Sequence, residues 1–119
     1  MRKKILAVDD DPLYVDLVRD IFSAEDIDVI SAQNGIEALS ILKTQQPSLI
    51  ISDFEMPRID GIEFHSQLQQ DQKTKSIPFV FMTGASSQAL IQYAKLHNIH
   101  LLNKSNIVKE LLGLIKELK

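Results

Sequence analysis

The sequence has no cysteine, so disulfide bridges, thiol catalysis and thiolate metal sites are excluded at the outset. It has no excess of positive charge either. Thirteen Lys and Arg stand against sixteen Asp and Glu, and the net charge of −3 offers no general attraction to the phosphates of nucleic acid. No apolar run approaches the roughly 20 residues that a membrane helix needs. The one stretch that begins like an export signal, residues 1–8, is cut off at once by Asp9, Asp10 and Asp11. Repeats, low-complexity tracts and linkers rich in proline, glycine or serine are missing too. These absences predict one soluble, cytoplasmic domain over residues 1–119, with no direct nucleic-acid contact, no membrane insertion and no legible output domain.

What is present suits a single folded unit. The 119 residues, 45% of them hydrophobic and 24% charged, are enough for one sizeable core and leave none for a second. Short apolar runs at 5–8, 29–31, 49–51, 78–82 and 99–102 alternate with longer segments of helical periodicity, which predicts five strands and five helices. Two of the runs have little polar alternation, as expected of parallel strands covered on both faces. The predicted fold class is α/β, a doubly wound five-stranded parallel sheet of order 2-1-3-4-5.

The helices carry their own signals. Asp11 and Pro12 fit the cap and first turn of the first helix, with Leu13, Leu17, Val18, Ile21 and Phe22 as its apolar stripe. Asn34 and Glu37 have capping-box spacing before Leu39 and Leu42, and Pro47 closes that segment. The third helix follows an Asp60-Gly61 turn with Phe64 and Leu68, and the fourth runs from about Ser86 with Leu90, Ala94 and Leu96 inward. The fifth sets Val108, Leu111, Leu112, Ile115 and Leu118 on one side, with Gly113 costing about 1 kcal/mol relative to alanine.

In open α/β sheets the functional crevice lies beyond the carboxyl ends of the strands, where strand order reverses. Strand one ends in Asp9 and Asp10, strand three in Asp53, strand four in Thr83 and strand five in Lys104. With strands one and three adjacent, three carboxylates converge. Unless some stay protonated they need a cation, and hard oxygen ligands with room for water suit magnesium. A carboxylate beside a divalent cation and an ammonium group is placed to attack phosphorus, which makes Asp53 the natural nucleophile and Thr83 a hydrogen-bond donor to an arriving phosphoryl oxygen.

Five segments together resemble the response-regulator receiver domain: Ile5-Leu6-Ala7-Val8-Asp9-Asp10-Asp11-Pro12, Ile51-Ser52-Asp53-Phe54-Glu55-Met56-Pro57, Asp60-Gly61, Phe81-Met82-Thr83-Gly84 and Lys104. The resemblance implies a phosphorylation switch of a two-component system, with Asp53 as the phosphoacceptor. It implies magnesium held by Asp10, Asp53 and the backbone carbonyl of Glu55, with Asp9 acting through water. Lys104 would contact the phosphoryl group, and Thr83 would move toward it and reshape the face of helix four, strand five and helix five. The phosphoryl donor would be a histidine kinase or histidine phosphotransfer protein, and a downstream protein would read that face. The chain would be no enzyme beyond its own phosphotransfer and autodephosphorylation.

The sequence departs from the family in places. Ser105 follows Lys104 where a cis proline is usual, so the expectation is either a trans bond or a strained cis one, with Ser105 a candidate cap for helix five. Leu101 stands where the family commonly has a mobile aromatic, which leaves the readout to a weaker coupling, to Tyr93 or to a loop shift. Gly84 leaves the side of the acyl phosphate open, and the positions that tune its lifetime fall on Glu55 and Ala85. His65, His97 and His100 share no spacing with the acids and are assigned no role; Phe54, Phe64, Phe79 and Phe81 are read as core.

Other functions fit less well. A flavodoxin-like electron carrier would want a Ser/Thr/Gly loop after strand one, where this chain has three aspartates. A haloacid-dehalogenase-type phosphatase matches Asp53 and Glu55 loosely, without a cap domain or the further acidic loop. A receiver-like docking module that acts independently of phosphorylation draws support from Leu101 and Ser105, but it has no need of the intact acids, threonine and lysine.

Overall fold

The five apolar runs become five strands in the structure, a computed structural model that describes residues 3–84 and 87–118, residue 118 by its backbone alone. In chain order the elements are β1 (Lys4–Val8), α1 (Pro12–Ser23), β2 (Asp28–Ala32), α2 (Gly35–Ile41), β3 (Leu49–Asp53), α3 (Gly61–Leu68), β4 (Phe79–Thr83), α4 (Gln88–His97), β5 (His100–Asn103) and α5 (Ile107–Leu118). All strand pairs are parallel and the order is β2-β1-β3-β4-β5, so the expected doubly wound sheet is the one observed.

Strand alternation sorts the core into two layers. Leu49 and Ile51 of β3, with Ile5 and Ala7 of β1, pack against Val18 and Phe22 of α1 and Leu111 and Ile115 of α5. Ile50, Leu6 and Val8 point the other way, onto Ala38 of α2 and Phe64 and Leu68 of α3. Phe81 of β4 extends that second layer under Leu90 and Ala94 of α4. β1 is buried along four of its five residues and β3 along all five, as strands covered on both faces should be.

Side-chain direction corrects several apolar expectations. Leu13, Leu96, Val108 and Leu112 are exposed. On α4 the inward positions are Leu90 and Ala94, and Leu96 lies two residues beyond Ala94, about 200° around the helix. On α5 the buried set is Ile107, Leu111, Leu114 and Ile115, spaced i, i+4, i+7, i+8. Val108 and Leu112 form the neighbouring row, turned toward solvent. Leu13 lies two residues before Val15, the first buried residue of α1, and so faces about 200° away from it. Leu118 as a stripe residue and Ser86 as a helix start fall outside the described residues.

The caps explain where helices begin. Leu13 N donates to Asp11 Oδ1 (3.0 Å), Glu37 N to Asn34 Oδ1 (2.8 Å) and Leu90 N to Ser87 Oγ (3.1 Å). Glu37 also reaches back past the cap, its Oε1 accepting from Gln33 N, the residue before Asn34, at 3.0 Å. α2 nevertheless stops at Ile41, well before Pro47. The expected Asp60-Gly61 turn is instead the start of α3: Asp60 caps it and Gly61 is its first residue. The left-handed residue of that loop is Arg58, φ 76°.

Candidate functional site

Register brings the site together. Val8 of β1 lies opposite Ser52 of β3, so one step further along each strand Asp9 adjoins Asp53. Thr83 ends β4 opposite Asn103 of β5, and Lys104 follows at once. The result is an open cleft of about 400 Å³ at the carboxyl ends of the strands, lined by Asp9, Asp10, Asp53, Glu55, Thr83 and Lys104 among others. Every site residue expected from the sequence borders it. Asp9, Asp53 and Thr83 are buried, Asp10 and Glu55 exposed.

Two interactions fix the loop after β1. Asp11 N donates to Asp9 Oδ1 at 2.9 Å while the Asp11 side chain caps α1, so Asp11 acts as the expected cap. On the other side of the cleft, Asn103 Oδ1 accepts from both Ser105 N and Ser105 Oγ at 2.9 Å. Asn103 therefore caps the 3-10 turn of Lys104–Asn106 that leads into α5, and Ser105, the candidate cap for helix five, lies inside that turn. The Lys104-Ser105 bond is trans, since no peptide bond among the described residues is cis.

The β3–α3 loop is held by a close approach. Gly61 N donates to Phe54 O at 2.7 Å. A Cβ at residue 61 would lie 2.8 Å from Asp53 O, 2.9 Å from Phe54 Cα and 2.7 Å from Phe81 Cε1. Two of those atoms are backbone and the third belongs to a fully buried ring, so glycine is required here for space. At Gly84 the nearest atom to such a Cβ is Lys104 Cδ, at 3.8 Å, which leaves that side of the cleft open as expected. Ala85 lies outside the described residues.

The pocket is short of positive charge. Lys104 Nζ lies 2.9 Å from Asp9 Oδ2 and 3.3 Å from Asp53 Oδ1, one ammonium between two buried acids. Asp9 Oδ2 is nonetheless buried without a well-directed hydrogen bond, since the ammonium is close at 2.9 Å but not aligned with it. Burial, reinforced by the neighbouring Asp9 charge, pushes the Asp53 carboxyl up to about 6 against the partial relief from Lys104. Burial likewise raises Asp9, against the Asp11 amide and Lys104. Burial opposes the charge on Lys104, but the two carboxylates outweigh it and its pKa is raised.

These residues fit a divalent cation. One ligand oxygen each from Asp9, Asp10 and Asp53 lies within 4.8 Å of the others, and a buried carboxylate oxygen lacks a hydrogen bond. Hard, anionic oxygen donors on an open cleft match magnesium.

Two residues with no expected role stand out. Tyr14 of α1 puts its ring 4.1 Å from Lys104 Nζ. His65 of α3 is buried, its Nδ1 2.6 Å from the Tyr93 hydroxyl of α4, its ring edge-on to Phe79. Burial, then the adjacent His97, lowers His65 to about 4. His65 was legible after all, since Gly61, Phe64, His65 and Leu68 are spaced i, i+3, i+4, i+7. No comparable signal marks Tyr14, whose partner is 90 residues away in the chain.

The family model described as the response regulator receiver domain matches residues 5–116. The polar-differentiation response regulator DivK of Brucella anthropi is 32% identical over 84 residues, 71% of this chain and 68% of that protein. Among solved structures, the chemotaxis response regulator CheY4 of Vibrio cholerae superposes with a TM-score of 0.88 at 27% identity, over 100% of both chains. The response regulator TrrA of Thermotoga maritima, in complex with Mg(2+)-BeF, does so with a TM-score of 0.83 at 29% identity, over 98% of this chain and 99% of that one. No helix among the described residues is long and apolar enough to cross a membrane.

Proposed function

The chain belongs to the response-regulator receiver-domain family, the signalling module of two-component systems, and on that premise we propose that Asp53 is its phosphoacceptor. The observation that carries the assignment is the Lys104 ammonium spanning Asp9 and Asp53 at the strand ends. An oxygen of the Asp53 carboxylate attacks the phosphorus of a phosphohistidine on the partner kinase or phosphotransfer protein. The O–P bond forms as the P–N bond breaks, and the imidazole leaves with the electron pair and is protonated. Lys104 balances charge on the transferring oxygens, and Thr83 donates a hydrogen bond to one of them.

Asp10, Asp53 and the backbone carbonyl of Glu55 are the residues to hold magnesium, with Asp9 acting through water. The bound ion adds charge neutralisation at the phosphoryl oxygens. The chain acts on itself, by phosphotransfer and autodephosphorylation, and turns over no separate substrate. Thr83 belongs to the same strand as Phe81, which lies under α4, so a shift of Thr83 toward the phosphoryl group reaches α4 first. A downstream protein reads the face of α4, β5 and α5; nucleic acid and membrane are not partners. The whole of residues 1–119 forms the receiver unit, working in the cytoplasm.

Intact mass after incubation with acetyl phosphate and magnesium tests this reading. The wild type gains one phosphoryl group, while Asp53→Asn and an EDTA control gain none. An adduct that survives Asp53→Asn places the acceptor elsewhere. In the same preparations magnesium raises the melting temperature of the wild type and leaves that of Asp10→Asn unmoved, because binding to the native state alone stabilises it. Equal shifts in both remove Asp10 from the metal site.

A further inference from the structure

We propose that Tyr14 is a positioning residue for the phosphotransfer: its ring holds Lys104 Nζ over the Asp53 carboxylate. The inference rests on Asp53 being the phosphoacceptor and adds a part that the reaction needs. Lysine is a point charge on a flexible four-carbon stem, so something besides its Cα must fix where the ammonium sits. Here the stem starts from a 3-10 turn held by the Asn103 side chain. The ammonium then lies against Asp9 Oδ2 at 2.9 Å, Asp53 Oδ1 at 3.3 Å and the Tyr14 ring at 4.1 Å.

Two of those neighbours change during the reaction. One Asp53 oxygen becomes bonded to phosphorus, and both carboxylates are candidates to face a divalent cation in place of the ammonium. The Tyr14 ring changes in neither respect. A face of negative quadrupole charge at this distance attracts an ammonium without competing for the metal or the phosphoryl group. The ring is itself well placed to stay still. Tyr14 lies on the first turn of α1, where Asp11 caps the helix and binds its own amide back to Asp9, and it packs half-buried on the α1/α5 layer of the core. Ring, acidic loop and helix start therefore form one unit that faces Lys104 across the cleft.

The unaltered chain and two variants test the proposal. In the wild type the ring current of Tyr14 moves the Lys104 ε-methylene protons upfield. Tyr14→Phe keeps that displacement and forms the Asp53 adduct with acetyl phosphate and magnesium at close to the wild-type rate. Tyr14→Leu, which keeps apolar bulk against the core, loses the displacement and forms the adduct about five- to thirty-fold more slowly, the range that a partly desolvated cation–π contact supports. Lys104 protons at an undisplaced position in the wild type overturn the proposal without any variant. A Tyr14→Leu chain that is phosphorylated as fast as wild type also overturns it, and leaves the acceptor assignment standing if Asp53→Asn still blocks the adduct. Loss of rate in Tyr14→Phe shifts the role to the hydroxyl and overturns the role of the ring. Absence of any adduct in the wild type overturns the acceptor assignment, and this proposal with it.

Discussion

The molecule contains two small polar regions sunk into apolar surroundings, and burial acts on them with opposite sign. At the strand ends, burial pushes Asp53 up to about 6. Between α3 and α4, burial pushes His65 down to about 4. In each case the charged form is the one disfavoured. The difference lies in what surrounds the group. His65 is among aromatic rings, with the Tyr93 hydroxyl on Nδ1 and Gln69 near Nε2, and its neutral form is well served. Asp53 has a second buried acid beside it and a single ammonium for both, so neither protonation state is fully served. The His65 region reads as a packing device, the Asp53 region as a site that calls for a charge partner.

The sharpest way to test that contrast is to take the ammonium away. Lys104→Met preserves the stem and removes the charge, so the transferring phosphoryl oxygens lose a fixed positive partner. Adduct formation with acetyl phosphate and magnesium falls by about 10²-fold or more, the scale seen when one preorganised electrostatic partner is removed. A rate within a few-fold of wild type would mean that the cation alone supplies the neutralisation.

The opposed shifts also set opposed pH dependences. Free of metal, Asp53 titrates near 6 in the folded chain against 3.8 when unperturbed, so its contribution to stability grows as pH falls from about 6 to 4 and is lost again as pH rises. His65 titrates near 4 against 6.5, so the unfolded chain takes up the proton first and stability is lost as pH falls through that interval. Each shift corresponds to up to about 3 kcal/mol, and the two largely cancel in the wild type. Single substitutions unmask them in urea titrations with EDTA. Relative to wild type, Asp53→Asn loses stability more steeply on acidification from pH 6.5 to 4, and His65→Phe gains it. Parallel pH profiles for both variants would break the comparison.

How much of this was legible in the sequence follows from how local each signal is. The strands, the caps at Asp11 and Asn34, and the acids at the strand ends depend on near neighbours, and those expectations match the structure. The apolar stripes hold at Val18 and Phe22 of α1, at Phe64 and Leu68 of α3 and at Leu90 and Ala94 of α4; on α5 Leu111 and Ile115 are buried as expected, but Ile107 and Leu114 complete the row in place of Val108 and Leu112, because the turn capped by Asn103 sets how the helix enters. Gly61 looked like a turn glycine from its Asp-Gly pair, but its reason is the close approach of the Asp53 and Phe54 backbone and of Phe81, 20 residues on. Tyr14 over Lys104 and His65 against Tyr93 depend on tertiary approach across 90 and 28 residues, which no local pattern encodes.

The smallest effect concerns that last pair. Tyr93→Phe keeps the ring contacts with His65 and Phe81 and removes only the hydroxyl, leaving His65 Nδ1 without its partner. A neutral hydrogen bond of this kind contributes about 1 kcal/mol, so a loss of that size is expected in urea titrations at neutral pH. Because the bond joins α3 to α4, the loss should also appear as faster amide hydrogen exchange along α4, with β1 and β3 unaffected. If exchange quickens equally across the sheet, the bond supports the whole fold and the packing role assigned to this region is too narrow. If exchange does not change at all, the ring stack with Phe79 and Phe81 holds α4 by itself, and the hydroxyl serves only to satisfy a buried imidazole.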